Sequence, residues 1–351
     1  MKRFSIFWLV LLGFSMIFLT SGCVYLVPII ESFVAWVVGE VDETGKAVLL
    51  HSPDSGVTWV RQGLDVLPDG IPLSNILALD RQTVWAVGSA RRVLSTFDGG
   101  VTWNVTEVSE IEPARDISSI SIFEGDIWIS GESGLILRST DQGNTWTVFE
   151  QSATVQEYLL QGIFAINHQI VYAVGNKSSG RNGVVVRTLD GGITWEEVTL
   201  PNNYLEVGWI GVKAVDTEHI VIYGGQGHYT VTANGGRQWV TGGPLSTRDL
   251  NDLTMLNESN YWAACDFDSI IRTKDSGISW VEQPSAGTSN SFLVGIAAAS
   301  PESALIVGCS AGYPAFGKIL KTADGGATWQ SVYETDTNLQ KVTVAPAGLI
   351  P

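Results

Sequence analysis

One eight-residue pattern, Ser/Thr-x-Asp-x-Gly-x-Thr-Trp, recurs seven times along this chain of 351 residues. The copies start at Ser52, Thr96, Ser139, Thr188, Thr232, Thr273 and Thr322. Their acids are Asp54, Asp98, Asp141, Asp190, Asp275 and Asp324, with Asn234 in a degenerate fifth copy that also has Gln238 in place of Thr. Their tryptophans are Trp59, Trp103, Trp146, Trp195, Trp239, Trp280 and Trp329, spaced by 44, 43, 49, 44, 41 and 49 residues. A period of this size means repeated supersecondary units that bury their apolar faces against one another.

The pattern reads as a turn clamp. Asp can accept from nearby backbone N–H groups, and the Gly two residues on accepts φ > 0. The hydroxyl residues add local bonds, and Trp brings a large apolar body to pin the turn onto the sheet, with an N–H able to find a carbonyl. Six acids on six separate units are too far apart to share a metal, and no metal site is expected.

Each unit also carries an aromatic or apolar residue three ahead of a Gly: Trp36, Trp85, Trp128 and Tyr172, drifting to Val221, to Trp262 with Cys265 in the Gly position, and to Leu305. A short apolar stretch precedes it, as at Ile76–Leu79. Another leads into the box, as at Leu135–Arg138, and two or three residues follow the Trp. Four short strands per unit of about 45 residues is a β-propeller blade. No amphipathic helix of useful length follows the leader. The first unit, from Phe33, lacks its innermost strand, and Leu339–Ala345 supplies one at the other end. The expected fold is therefore all-β: a seven-bladed propeller over 33–351, closed by a C-terminal strand in the first blade, leaving no open edge to aggregate.

Lys2 and Arg3 precede an uncharged apolar run from Phe4 to Ile30, the pattern of an export signal. Leu19-Thr20-Ser21-Gly22-Cys23 resembles a bacterial lipoprotein box, with Thr20 off its pattern. The expectation is a signal peptide over 1–22, lipid on Cys23, and a short tether over 23–32. An uncleaved anchor and a plain secretory signal are the alternatives, since 27 apolar residues can span a bilayer. All three place the globular part outside the cytoplasm. Hydrophobic residues make up 45% of the chain, which excludes disorder as its main state. The net charge of −16 speaks against nucleic acid and against docking on anionic lipid. Besides Cys23 there are only Cys265 and Cys309, one repeat apart; this is no disulfide framework, and either a bridge or two buried thiols fits.

The boxes resemble those of the Asp-box (BNR) repeat superfamily across residues 33 to 345. Within it the chain is most similar to the photosystem II stability and assembly factor family. That resemblance implies a seven-bladed propeller, often a lipoprotein, that binds a membrane-protein assembly intermediate. That family presents an arginine-rich patch, whereas the arginines here are scattered, so no binding residue is carried over.

Sialidases in the same superfamily share a Phe/Tyr-Arg-Ile-Pro motif that this chain lacks. No nucleophile elbow, HExxH or phosphate loop is present, and His51, His168, His219 and His228 form no ligand-spaced group. A glycosidase carboxylate pair cannot be read from sequence among 36 acids. The expectation is a non-catalytic, cofactor-free module binding a membrane or envelope protein, with a carbohydrate-binding propeller or glycoside hydrolase as the alternative.

The boxes occupy the turns between third and fourth strands, so the second-to-third turns and inter-blade connections lie on the opposite face, where loops on a rigid scaffold carry function. Candidates there are Arg91, Arg92, Arg181, His228, Tyr229, Phe267, Tyr313 and Phe316, of types that anchor interfaces. Packing of Phe267 and Tyr313 into their own blades is the plain alternative. Arg138, Arg187, Arg272 and Lys321, each three before a box Asp, read as a repeat feature of the blade.

Overall fold

The computed structural model describes residues 32–345, apart from 112, 150–154, 178–181, 202–206, 244, 246–247, 285–290 and 311–314, together with the strand backbone of 16–20, 23–27 and 346. Among the described residues the chain forms seven four-stranded antiparallel sheets and one hairpin, Met16–Thr20 on Cys23–Val27. Of the leader box and tether, Ser21, Gly22 and residues 28–31 lie outside the described residues. No described helix is long and apolar enough to cross a membrane.

The seven sheets are the blades. From the axis outward, blade 2 runs Leu73–Ala78, Val84–Gly88, Arg92–Thr96 and Asn104–Glu107, and blades 3 to 7 repeat that order. Innermost strands of successive blades touch all the way round, including blade 1 against both blade 7 and blade 2. Blade 1 takes its inner strand from Leu339–Pro346, paired antiparallel with Phe33–Val41. This is the expected closure: a strand from each end of the propeller shares one sheet, so neither is left as an edge.

The core sits between blades. Second strands read as continuous apolar runs because both their faces are covered: Val84–Gly88 and Tyr261–Cys265 are buried at every position. Each apolar cluster joins two neighbouring blades; one unites Trp128 of blade 3 with Leu160, Val171 and Trp195 of blade 4. The box Trp therefore does something other than expected. It packs on the second-strand aromatic of the preceding blade, as Trp195 does on Trp128 at 6.0 Å, Trp239 on Tyr172 at 6.3 Å and Trp329 on Trp262 at 5.5 Å. Nor does its N–H generally find a carbonyl. Trp103 Nε1 donates to Gln62 Oε1, and the other six box indoles have no described acceptor.

The box hydrogen bonds are as the pattern implies. In blade 3, Gly143 N–H donates to Ser139 Oγ, and Ser139 Oγ–H to Asp141 Oδ1. Thr145 gives its N–H to Oδ1 and its hydroxyl to Oδ2 of Asp141. These donors pull the Asp98, Asp141 and Asp324 carboxyls down to about 2, the Thr hydroxyl contributing most. In blade 5, Asn234 keeps the backbone half of the clamp, and Gln238 supplies no hydroxyl. Gly143 sits at φ +79°, and a Cβ there would lie 3.1 Å from the Trp85 ring of blade 2. Turn geometry and blade contact thus both require glycine.

The repeated arginines complete the clamp, as a blade feature. Arg138 lies over Trp128 at 5.2 Å and donates to the carbonyl of Gly191 in the next box. Arg272 lies over Trp262 at 4.4 Å and donates to Gly325 O. Cys265 and Cys309 are both free thiols. Burial pushes Cys309 up to about 11 and the deeper Cys265 further, which favours their protonated form.

Candidate functional site

The face opposite the boxes carries the second-to-third turns, which are tight in blades 2, 3, 5 and 6. In four blades two consecutive residues adopt the left-handed conformation: Ala90–Arg91, Ser133–Gly134, Gln226–Gly227 and Phe267–Asp268. Such turns suit the strand twist, and Gly or Asn is the usual occupant. Blades 2 and 6 instead place non-glycine pairs there, at a cost of about 1–2 kcal/mol per residue. The turns are held by the next blade. Asp116 accepts from Ser89 Oγ and Ala90 N, and Asp249 accepts from Gln226 N.

The sequence-derived candidates divide into distinct environments. Arg91 and Arg92 come together on one acid: Arg91 Nε lies 2.9 Å from Glu107 Oε1 and Arg92 Nη1 2.6 Å from Oε2. Arg91 also donates to Ile111 O at 2.8 Å. The Glu107 carboxyl is accordingly held below its usual range, chiefly by the Arg91 hydrogen bond. His228 is half-buried, with Nδ1 3.1 Å from Gly225 O. Tyr229 belongs to the interior: it begins a third strand, is 5% exposed, donates to Gly277 O in the next box, and packs on Trp280. It stands one residue past the turn, so its side chain points between blades 5 and 6. Arg181 and Tyr313 lie outside the described residues. Phe316 is half-buried, its loop closed by Ser310 N–H to Phe316 O at 2.8 Å.

Phe267 stands apart. It is 47% exposed at φ +56°, and its ring meets Phe292 of blade 7 at 5.7 Å, so it packs across the blade boundary and not into its own blade. Beneath it Asp268 forms a buried ion pair with Lys318 of blade 7 and accepts from Ser291 Oγ at 3.2 Å. Asn251 Nδ2 ties Asp266 Oδ1 and Leu293 O together at 2.8 and 3.0 Å. An exposed aromatic is thus seated on a buried, hydrogen-bonded base at the junction of blades 6 and 7.

Near the axis lies a cluster that the sequence reading missed. Asp252 of blade 6 is 1% exposed. Its Oδ1 lies 2.6 Å from Lys341 Nζ of blade 1 and 3.1 Å from Tyr223 Oη of blade 5; its Oδ2 accepts from Ile296 N of blade 7 at 2.8 Å. Burial alone would raise this carboxyl, but Lys341 and Lys213 bring it below its usual value. Burial pushes Lys213 down to about 8. Gly211 makes room for the arrangement, since a Cβ there would meet the Tyr223 hydroxyl at 2.2 Å. The only sequence signal is a charge inside each of three otherwise mostly uncharged inner strands, Trp209–Ala214, Leu250–Met255 and Leu339–Pro346.

Among the described residues, Asp216, His219 and Glu258 place carboxylate and imidazole atoms within 4.8 Å of one another on the box face. His219 Nδ1 lies 2.9 Å from Asp216, which raises the imidazole pKa. Asp216 Oδ1 is already committed to the N–H groups of Glu218 and His219.

The family profile of the photosynthesis system II assembly factor YCF48 matches residues 71–196. No curated protein matches the sequence significantly. Among solved structures, YCF48 bound to D1 peptide superposes with a TM-score of 0.56 at 20% identity, over 74% of this chain and 80% of that one. YCF48 from Cyanidioschyzon merolae gives 0.60 at 16% identity, over 82% and 95%. An ancestral GH74 enzyme gives 0.54 at 14%, over 78% of this chain and 38% of its own. At these identities the structural likeness is one of fold. Together with the seven boxes and the closed ring, these matches make the chain a BNR-type seven-bladed β-propeller that resembles the photosystem II assembly factor YCF48.

Proposed function

We propose that this chain is a non-catalytic protein-binding module of the assembly-factor type, exported and held at a membrane by its N-terminal segment. In this reading it grips a membrane or envelope protein with the face opposite the boxes, over blades 6 and 7. The observation that carries the reading is Phe267: a half-exposed aromatic in a disfavoured backbone conformation, seated on the buried Asp268–Lys318 pair. Strain of this kind persists where surrounding structure over-determines it, and rigid aromatics anchor interfaces. The match to the YCF48 profile, and the solved YCF48 with a bound D1 peptide, support a polypeptide as the partner class.

A glycan-cleaving reading draws on the GH74 likeness. A glycosidase needs an acid whose pKa is raised. The buried Asp252 is not such an acid: at 1% exposure it is enclosed by Lys341, Tyr223 and the Ile296 N–H, out of reach of a sugar.

The test is partner capture by the tagged full-length chain, wild type against Phe267→Ala/Phe316→Ala. Loss of one dominant membrane-protein partner with an unchanged melting curve supports the site. Undiminished capture removes it, and turnover of a glycoside substrate would replace the whole reading.

A further inference from the structure

The residue after each box Gly occupies the same place in seven equivalent turns: Val57, Val101, Asn144, Ile193, Arg237, Ile278 and Ala327. The shared box hydrogen bonds put these positions at one height on one face of the ring. Four are β-branched and apolar, yet strongly exposed: Val57 at 60%, Val101 at 83%, Ile193 at 84% and Ile278 at 85%. Phe97 and Leu189, one residue ahead of their box Asp, add further exposed apolar surface beside two of them. Single exposed apolar residues need no explanation. A coplanar set on blades 1, 2, 4 and 6 is a different matter, and Asn144 shows that the turn itself accepts a polar residue.

The chain enters the propeller on this same face. Phe33 N–H donates to Ser55 Oγ at 3.1 Å and Ser55 N–H to Phe33 O at 3.0 Å, which stitches the entry point to the first box. Cys23 and Phe33 stand ten positions apart in the sequence, a reach of at most ~36 Å. The second strand of blade 1, Phe33–Val41, is itself nine residues, roughly 30 Å from one face to the other. With the opposite face toward a membrane, the tether would spend most of its reach climbing the blade. With the box face down it is slack.

We infer that the box face rests on the membrane to which the N-terminal segment holds the chain, with Val57, Val101, Ile193 and Ile278 at the lipid–water interface. The Phe267 face then points away from the bilayer. This rests on the membrane-held reading given above. Asp80, Glu124, Asp216, Glu218, Glu258 and Glu302 line the neighbouring inner-to-second turns against fewer cations, so the matching surface is zwitterionic and not anionic.

The full-length chain, in a Cys265→Ser/Cys309→Ser background, is reconstituted in phosphatidylcholine vesicles and isolated by flotation. Spin labels are placed through Val101→Cys, Ile193→Cys or Ile278→Cys, and on the other face through Gln226→Cys. The inference expects box-face labels to favour oxygen over a water-soluble nickel chelate at least several-fold more than the Gln226 label does. That contrast should shrink when anionic lipid is added, and vanish in a Val57→Ser/Val101→Ser/Ile193→Ser/Ile278→Ser chain labelled at Leu189→Cys that still floats. Equal accessibility of both faces on floating vesicles overturns the inference and leaves the anchor standing. Failure to float overturns both. Protection seen only in native membranes, and not in pure lipid, assigns this face to a protein.

Discussion

The two faces of this propeller are made from the same repeat and have opposite characters. On the box face six turns share one full hydrogen-bond scheme and the blade 5 turn keeps its backbone half, because each recurring residue type performs the same task in its blade. On the other face the turns differ in length, in backbone conformation and in chemistry: a Glu107-bound arginine pair on blade 2, Gln226–Gly227 on blade 5, Phe267 over an ion pair on blade 6. Uniformity across blades marks residues that hold the ring together. Departure from it marks places where the molecule can meet something else.

That contrast can be broken first at the blade boundary. Trp262→Ala removes a fully buried ring that takes Arg272 on one side and Trp329 on the other. It should cost ~3–5 kcal/mol, read as a lower denaturation midpoint. A loss under 1 kcal/mol would mean that blades do not depend on this clamp. Lys318→Ala strands Asp268 in the interior and should cost a similar ~3–5 kcal/mol. It should also disorder Phe267, so that capture falls along with stability.

The box acids give a pH signature. Asp98, Asp141 and Asp324 titrate near 2 in the folded chain against an ordinary value of 3.8. A folded pKa below the unfolded one contributes stability above about pH 4 that is lost as the pH falls toward 2. Tryptophan fluorescence against urea should therefore show a midpoint that drops between pH 4 and pH 2. A flat midpoint across that range would separate the carboxylates from folding.

Completing the degenerate box sharpens the comparison from the other side. Asn234→Asp with Gln238→Thr restores the second carboxylate oxygen and its hydroxyl donor, for a gain of about 0.5–1.5 kcal/mol at an unchanged m-value. The smallest effect on stability belongs to Phe267→Gly. Relief of its left-handed backbone offsets the lost Phe292 contact, so the melting temperature should hardly move while capture disappears. A large destabilisation there would reclassify Phe267 as core.

The ring was legible in the sequence because its determinants are local and repeated. Eight consecutive residues specify a box, and the unmatched strands at Phe33 and Leu339 specify closure. The axial cluster was not legible, because Tyr223, Asp252 and Lys341 become neighbours only when blades 5, 6 and 1 close around the axis. The candidate site was half legible. Loop position identified Phe267 and the arginine pair, but only register shows that Tyr229 turns inward, and only the blade 6–7 boundary brings Phe292 and Lys318 beneath Phe267.

The most direct test places one photo-crosslinking amino acid at a time on the full-length chain in the cells that make it: at Phe267 or Phe316 on one face, at Val101 or Ile193 on the other. The account predicts a discrete protein adduct from Phe267 and Phe316, with Val101 and Ile193 giving lipid adducts and none to that protein. A protein adduct confined to the box-face positions would contradict it and move the binding surface to the boxes.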